Sequence, residues 1–178
     1  MALNDQSTRI RDGEELDAAI IDSYLKAHIP GLSGEPQISQ FPGGASNLTY
    51  LLEYPQQEFV LRRPPFGHKA KSAHDMGREY RILNQLNAGF PYCPKAYVHC
   101  TDESVIGAEF YVMERVNGII LRSDMPAELN FSAEQTRELC KSFIDKMVEL
   151  HNVDYQACGL GDLGKPEGYV QRQISGWS

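Results

Sequence analysis

Residues 59–83 read FVLRRPPFGHKAKSAHDMGREYRIL: a strand pattern, a proline-broken basic loop and a helix pattern in succession. Over residues 59–63, period-two alternation places Val60 and Arg62 on one face and Phe59 and Leu61 on the other. In the helical part, at about 100° per residue, Met76, Ile82, Leu83 and Leu86 form one apolar stripe with Glu79 in its middle. The carboxylate is therefore aimed at the core. An unpaired buried charge costs several kcal/mol, whereas an opposite charge about 4 Å away at an effective dielectric near 20 returns roughly 4 kcal/mol, so Glu79 calls for a cation. Arg62 is nearest in topology. Arg78 and Arg81 on the same helix are local alternatives, as is snorkelling at the rim of the sheet.

Working outward, residues 37–41, 47–53 and 58–63 read as three short strands separated by Pro42-Gly43-Gly44 and Pro55-Gln56-Gln57, which predicts an antiparallel meander. Before them lie a loose leader over residues 1–13 and an amphipathic helix over 14–28, stopped by Pro30 and Gly31. After them, Ser72 and Asp75 have capping-box spacing for a helix over 73–86. Two more strands follow at 96–100 and 109–116, and Asn117-Gly118 breaks the run. Ser132 and Gln135 form a second capping box for a helix over 133–151, whose stripe of Leu139, Phe143, Met147 and Leu150 needs cover. Tyr169, Val170, Ile174 and Trp177 begin a last helical stripe.

The bulk numbers narrow the function classes. With 178 residues and 42% hydrophobic content, the chain can build one core and a fraction of another. Its 17 basic and 24 acidic residues give a net charge of −7, which opposes binding to a phosphate backbone, so nucleic acid is not an expected partner. Cys93, Cys100, Cys140 and Cys158 show no paired spacing, so neither a zinc site nor a disulfide framework is signalled and a cytoplasmic setting is expected. The polar N-terminal residues lack the apolar run of a signal peptide or membrane span.

Three features could carry chemistry. In the turn Pro42-Gly43-Gly44-Ala45-Ser46-Asn47, glycine lets backbone N–H groups approach a phosphate, and Ser46 and Asn47 add side-chain donors; a plain Gly-Gly hairpin has the same appearance. The Arg62–Glu79 pair is the second. The third is residues 110–116, where a strand breaking at Asn117-Gly118 frees backbone groups for a planar ligand, unless it is only a strand ending in a turn. His151 reads as a helix-end histidine, His68, Lys69, Lys71 and His74 as a solvated basic loop, and Gly161-Asp162 as a loop.

The order of these parts, with a glycine turn, a strand carrying an inward cation, a helix carrying an inward Glu, two strands and then a break, is the layout of a kinase small lobe. The stretches FPGGASNLTYLL (41–52), FVLRRPPFGHKAKSAHDMGREYRIL (59–83), FYVMERVNG (110–118) and GYVQRQISGW (168–177) resemble the aminoglycoside phosphotransferase family, in particular the subgroup found joined to acyl-CoA dehydrogenase domains. The resemblance runs from about residue 36 to the end. It implies an α+β fold: a five-stranded antiparallel sheet with a C-type helix over residues 36–117, preceded by a leader and helix over 1–35 and followed by the hinge and the start of a large lobe over 118–178.

The same resemblance implies that Gly43, Gly44, Ser46 and Asn47 lie over ATP phosphates and that Arg62 replaces the usual lysine and is fixed by Glu79. Val60 then belongs to the adenine ceiling, and Met113, Glu114 and Val116 belong to the strand end that meets the adenine edge. It further implies Mg²⁺ and a small-molecule hydroxyl acceptor, with a tilt towards hydroxyacyl-CoA. The HGD-type loop with its spaced Asn, and the later Asp that holds metal, do not occur in residues 1–178, so no catalytic residue and no metal ligand is assigned and this stretch alone is expected to be inactive. Two rival readings are a non-catalytic nucleotide-binding module and a protein-interaction domain; oligomeric state is not readable.

Overall fold

The computed structural model describes residues 5–42, 47–67, 75–121, 124–165 and 167–176. Its elements are α1 (Ala18–His28), β1 (Gln37–Gln40), β2 (Leu48–Glu53), β3 (Glu58–Arg63), α2 (Met76–Leu86), β4 (Ala96–Cys100), β5 (Phe110–Glu114), a 3₁₀ turn at Ala127–Leu129, α3 (Ala133–His151) and α4 (Tyr169–Gly176). The five strands form one sheet in the order β1-β2-β3-β5-β4, with every neighbouring pair antiparallel. The first three make the expected meander. β5 then inserts between β3 and β4, so that Val60 faces Met113 and Arg62 faces Tyr111 across the ladder.

One face of the sheet is the core. Tyr50, Leu52, Phe59, Leu61, Phe110 and Val112 project onto it and are closed over by Ile21 and Leu25 of α1, all of them fully buried. Burying each aliphatic side chain contributes about 2 kcal/mol. Asp17 sets the start of α1 by accepting from the amides of Ala19 (2.9 Å) and Ile20 (3.2 Å). The helix thus begins at Ala18 rather than at residue 14, because a side-chain cap fixes the first turn more firmly than apolar spacing does. The Tyr50 hydroxyl donates to the Glu14 carbonyl at 2.7 Å, and burial raises its pKa to about 12.

The leader is not loose over its described part. Thr8 and Gln40 exchange backbone hydrogen bonds of 2.7 and 2.9 Å, and Ser39 donates to Ser7 at 2.7 Å, so the leader covers the outer edge of β1. An unpaired strand edge leaves amides and carbonyls without partners, and at Gln40 the leader satisfies both.

α2 begins at Met76 with Asp75 as its cap, the carboxylate accepting from the Arg78 amide at 2.7 Å. The expected start at residue 73 and the Ser72 cap fall in 68–74, outside the described residues, as does the basic cluster His68, Lys69, Lys71 and His74. α2 lies on the face of the sheet opposite α1. There Tyr80 stacks on His99 of β4 (centroids 5.1 Å apart), and His99 Nε2 pairs with Glu109 at 2.7 Å. α3 opens on the expected capping box, Ser132 and Gln135 exchanging bonds of 2.9 and 3.2 Å. Its apolar side chains Phe143, Ile144 and Val148 are exposed. Among the described residues, no helix is long and apolar enough to cross a membrane, and no group of three or more His, Cys, Asp or Glu is placed to hold a metal ion.

Candidate functional site

The two faces of β3 carry the site and the core respectively, and the paired arginines Arg62 and Arg63 show the division. Arg62 points to the α2 face, where its Nη1 lies 2.9 Å from Glu79 Oε2 and donates to the Tyr111 hydroxyl at 3.3 Å. Arg63 points the other way and is 1% exposed. It donates through Nη1 to the Ile106 carbonyl at 2.9 Å and through Nε to the Pro64 carbonyl at 3.2 Å, and lies over the Phe66 ring at 3.8 Å. Burial lowers its pKa, yet a guanidinium starts far above neutrality and stays charged.

The cation meeting Glu79 is therefore Arg62. Arg78 and Arg81, the local alternatives, are not its partners: Arg81 turns instead to Asp162 and the Gly159 carbonyl. The link differs from the sequence expectation in one respect. The two side chains are 30% and 32% exposed, half-open to solvent rather than buried. Arg62 is the penultimate residue of β3, at the strand's end rather than in its middle.

Glu79 is held by more than Arg62. Asn47 Nδ2 donates to Oε1 at 2.9 Å, and the Tyr111 hydroxyl donates to Oε2 at 2.9 Å. Both carboxylate oxygens are thus fixed by donors from β3, from β5 and from the residue leading into β2. Tyr111 is 1% exposed, and burial, together with the neighbouring Glu79 charge, holds its hydroxyl well above the usual phenol range against the opposing pull of Arg62. It remains a neutral donor at any ordinary pH. Asn47 is buried, and its side chain is turned towards Glu79. Both contacts from Arg62 use Nη1, while its Nε is buried without a partner among the described residues.

Next to this cluster is a cleft of about 530 Å³, within the range that holds small-molecule ligands. Val60 and Met113 form its apolar floor, with Thr49 beside them, and Phe41, Val116 and Ile120 wall it. Thr49 is the ladder partner of Arg62, so the cation stands at the cleft's end on the same sheet face. Arg115 braces the far wall through Glu58 (3.0 Å) and lies 5.9 Å from the Phe41 ring centroid. The Glu114 amide donates to the Lys95 carbonyl at 2.8 Å, so this N–H is committed to the β4 side. Val116 lies two residues beyond β5 and is well exposed.

Of the residues singled out in the sequence, Val60, Met113, Glu114 and Val116 line the cleft, and Arg62, Glu79 and Asn47 form the charged cluster at its end. Gly43, Gly44 and Ser46 lie outside the described residues. Tyr111, Phe41 and Thr49 were missed. Tyr111 could have been noticed as the residue two before Met113 on the same strand face.

Both the sequence and the fold are similar to those of known proteins. Residues 37–178 match the phosphotransferase enzyme family, APH. The chain belongs to this family. Within it, the chain is similar to a crystal structure from Ralstonia eutropha whose name assigns it to the aminoglycoside phosphotransferases, with 36% identity and a TM-score of 0.73 over 90% of this chain and 46% of that one. It is also 34% identical to acyl-CoA dehydrogenase family member 11 of Gallus gallus, over 99% of this chain and 23% of the relative. The human member 11 gives 34% over 92% of this chain and 21% of its own length, and mouse acyl-CoA dehydrogenase family member 10 gives 34% over 90% and 15%. The chain thus spans less than a quarter of these curated phosphotransferase-family relatives and about half of the solved structure.

Proposed function

We propose that this chain is the nucleotide-binding portion of an ATP-dependent phosphotransferase that acts on a hydroxyl of a small molecule. The observation that carries the reading is the Arg62–Glu79 contact of 2.9 Å at the end of an apolar cleft. A purine needs flat apolar walls and one or two backbone partners, which Val60, Met113 and the backbone at Glu114 and Val116 would supply. A triphosphate needs a cation of fixed direction, and an arginine already gripped by a carboxylate and a tyrosine does not have to be ordered when the ligand arrives.

ATP would supply the γ-phosphoryl group. Phosphoryl transfer is largely positioning and charge stabilisation. In this reading Glu79 holds Arg62, Asn47 and Tyr111 hold Glu79, and Arg62 meets the phosphates. The base that orients the acceptor hydroxyl and the ligands for Mg²⁺ are proposed to lie in parts of the family fold that residues 1–178 do not contain, and so does the acceptor pocket. Hydroxyacyl-CoA is the acceptor class favoured by the likeness to acyl-CoA dehydrogenase relatives.

Calorimetric titration of the chain with ATP and with adenosine tests this. Arg62→Ala should weaken ATP by about tenfold or more while leaving adenosine within about twofold, because only the phosphates meet the guanidinium. Equal binding of ATP by Arg62→Ala and the parent chain, or no binding by the parent, would remove the proposal.

A further inference from the structure

Glu79 and Arg81 stand two residues apart on α2, about 200° around its axis, so that one faces the sheet and the other faces away. Arg81 reaches the turn that follows α3. Its Nη2 donates to the Gly159 carbonyl at 2.8 Å, Nη1 donates to Asp162 Oδ2 at 3.1 Å, and Nη2 also meets Asp162 Oδ1. Its Nε donates to Gln85 Oε1 at 3.2 Å, so the guanidinium is engaged on all three nitrogens.

The docking is close as well as charged. A Cβ on Gly89, just past α2, would come within 2.9 Å of Cys158 Sγ and 3.1 Å of Val153 Cγ1. Gly159 has φ +77°, a left-handed backbone, and a Cβ there would touch the Gln85 amide at 3.4 Å. The turn itself is preformed. Asp154 accepts from the amides of Gln156 and Ala157 at 3.0 and 2.9 Å, and Leu160, with its amide on the Tyr155 carbonyl at 2.8 Å, is 5% exposed.

We propose that Arg81 is a positioning residue: clamped by Gly159 and Asp162, it fixes the pose of α2, so that the turn at residues 153–163 governs whether Glu79 holds Arg62. The mechanical part stands on the contacts above, and its consequence for ligand rests on the nucleotide reading of the site. The sheet side of α2 is tied by Glu79, Tyr80 and Gly77, whose space is filled by Glu109 and His99. On the other side, Arg81 and Gln85 tie it to the 153–163 turn. Releasing that side lets the helix pivot on its sheet contacts, with the Arg62–Glu79 bridge in the path of the motion.

Hydrogen exchange on the 178-residue chain reads the clamp without any ligand. In Arg81→Ala and in Asp162→Ala, the amides of residues 79–86 should exchange about tenfold faster, with β2 and β3 unchanged, and the charge swap Arg81→Asp with Asp162→Arg should restore protection. Gly89→Ala, which presses on Cys158 and Val153 without touching Arg81, should produce the same loosening. In titrations, Arg81→Ala should weaken ATP about fivefold and spare adenosine, a split that general loss of structure would not give. Unchanged α2 exchange in both single variants, or a swap that restores nothing, overturns the proposal. If the parent chain binds no ATP, the nucleotide reading fails, and the exchange measurements alone decide the clamp.

Discussion

The Tyr111 hydroxyl reaches Glu79 on the same oxygen, Oε2, that receives Arg62, with both approaches at 2.9 Å. A carboxylate shared in this way keeps one geometry, because moving it towards either donor stretches the other. Tyr111→Phe keeps the ring in the sheet and removes only the hydroxyl. The expected loss is about 1 kcal/mol in urea denaturation, with ATP weakened a few-fold. A variant as stable as the parent and with equal ATP affinity would show that Arg62 and Asn47 suffice to hold Glu79.

Glu79→Ala removes the acceptor for Asn47, Tyr111 and Arg62 at once. Asn47 and Tyr111 are buried, so the stranded donors should cost about 2 kcal/mol in stability, and Arg62, left without its anchor, should bind ATP more weakly. Calorimetry showing unchanged ATP affinity would separate the carboxylate from ligand binding.

Arg62 and Arg63 should behave oppositely although adjacent. Arg62→Ala trims a half-exposed side chain, so its expected effect is on ligand and its effect on stability is small. Arg63→Ala empties a fully buried site, lined by the Phe66 ring and by carbonyls that lose their donor, and should cost about 3 kcal/mol or more in thermal or urea unfolding. Where it still folds, its ATP affinity should match the parent.

Alkaline pH should weaken the core through tyrosine. Burial raises Tyr50 from 10 to about 12, and Tyr24 also to about 12. A group whose folded pKa is raised contributes stability that is fully present below its unfolded pKa. That contribution is lost as pH climbs through the folded value. For Tyr50 the window runs from about 10 to 12 and the amount is about 3 kcal/mol, since one unit corresponds to about 1.4 kcal/mol. Tyr50→Phe should flatten that part of a stability–pH curve; a parent chain equally stable at pH 9 and pH 12 would contradict the assignment.

Local patterns were readable where one strong signal stood alone. The capping box at Ser132 and Gln135 gave α3 to the residue, and alternation along residues 59–63 separated Val60 and Arg62 correctly by face from Phe59 and Leu61. α1 starts later than its apolar spacing suggests, because Asp17 caps it. What sequence could not give was pairing at a distance. β5 inserts between β3 and β4, and only that insertion brings Tyr111 opposite Arg62 and Met113 opposite Val60. For the same reason Asn47, taken from its neighbours as a phosphate donor, is found with its side chain on Glu79, 32 residues away.

The leader that borders β1 also runs to the ligand side of the sheet, since Asp5 contributes to the rim of the cleft. A group attached at Asp5 itself, whether a purification handle or a fluorophore, would stand beside the proposed adenine pocket. A dye coupled there would serve as an optical reporter of cleft filling, and a bulky handle there would compete with it.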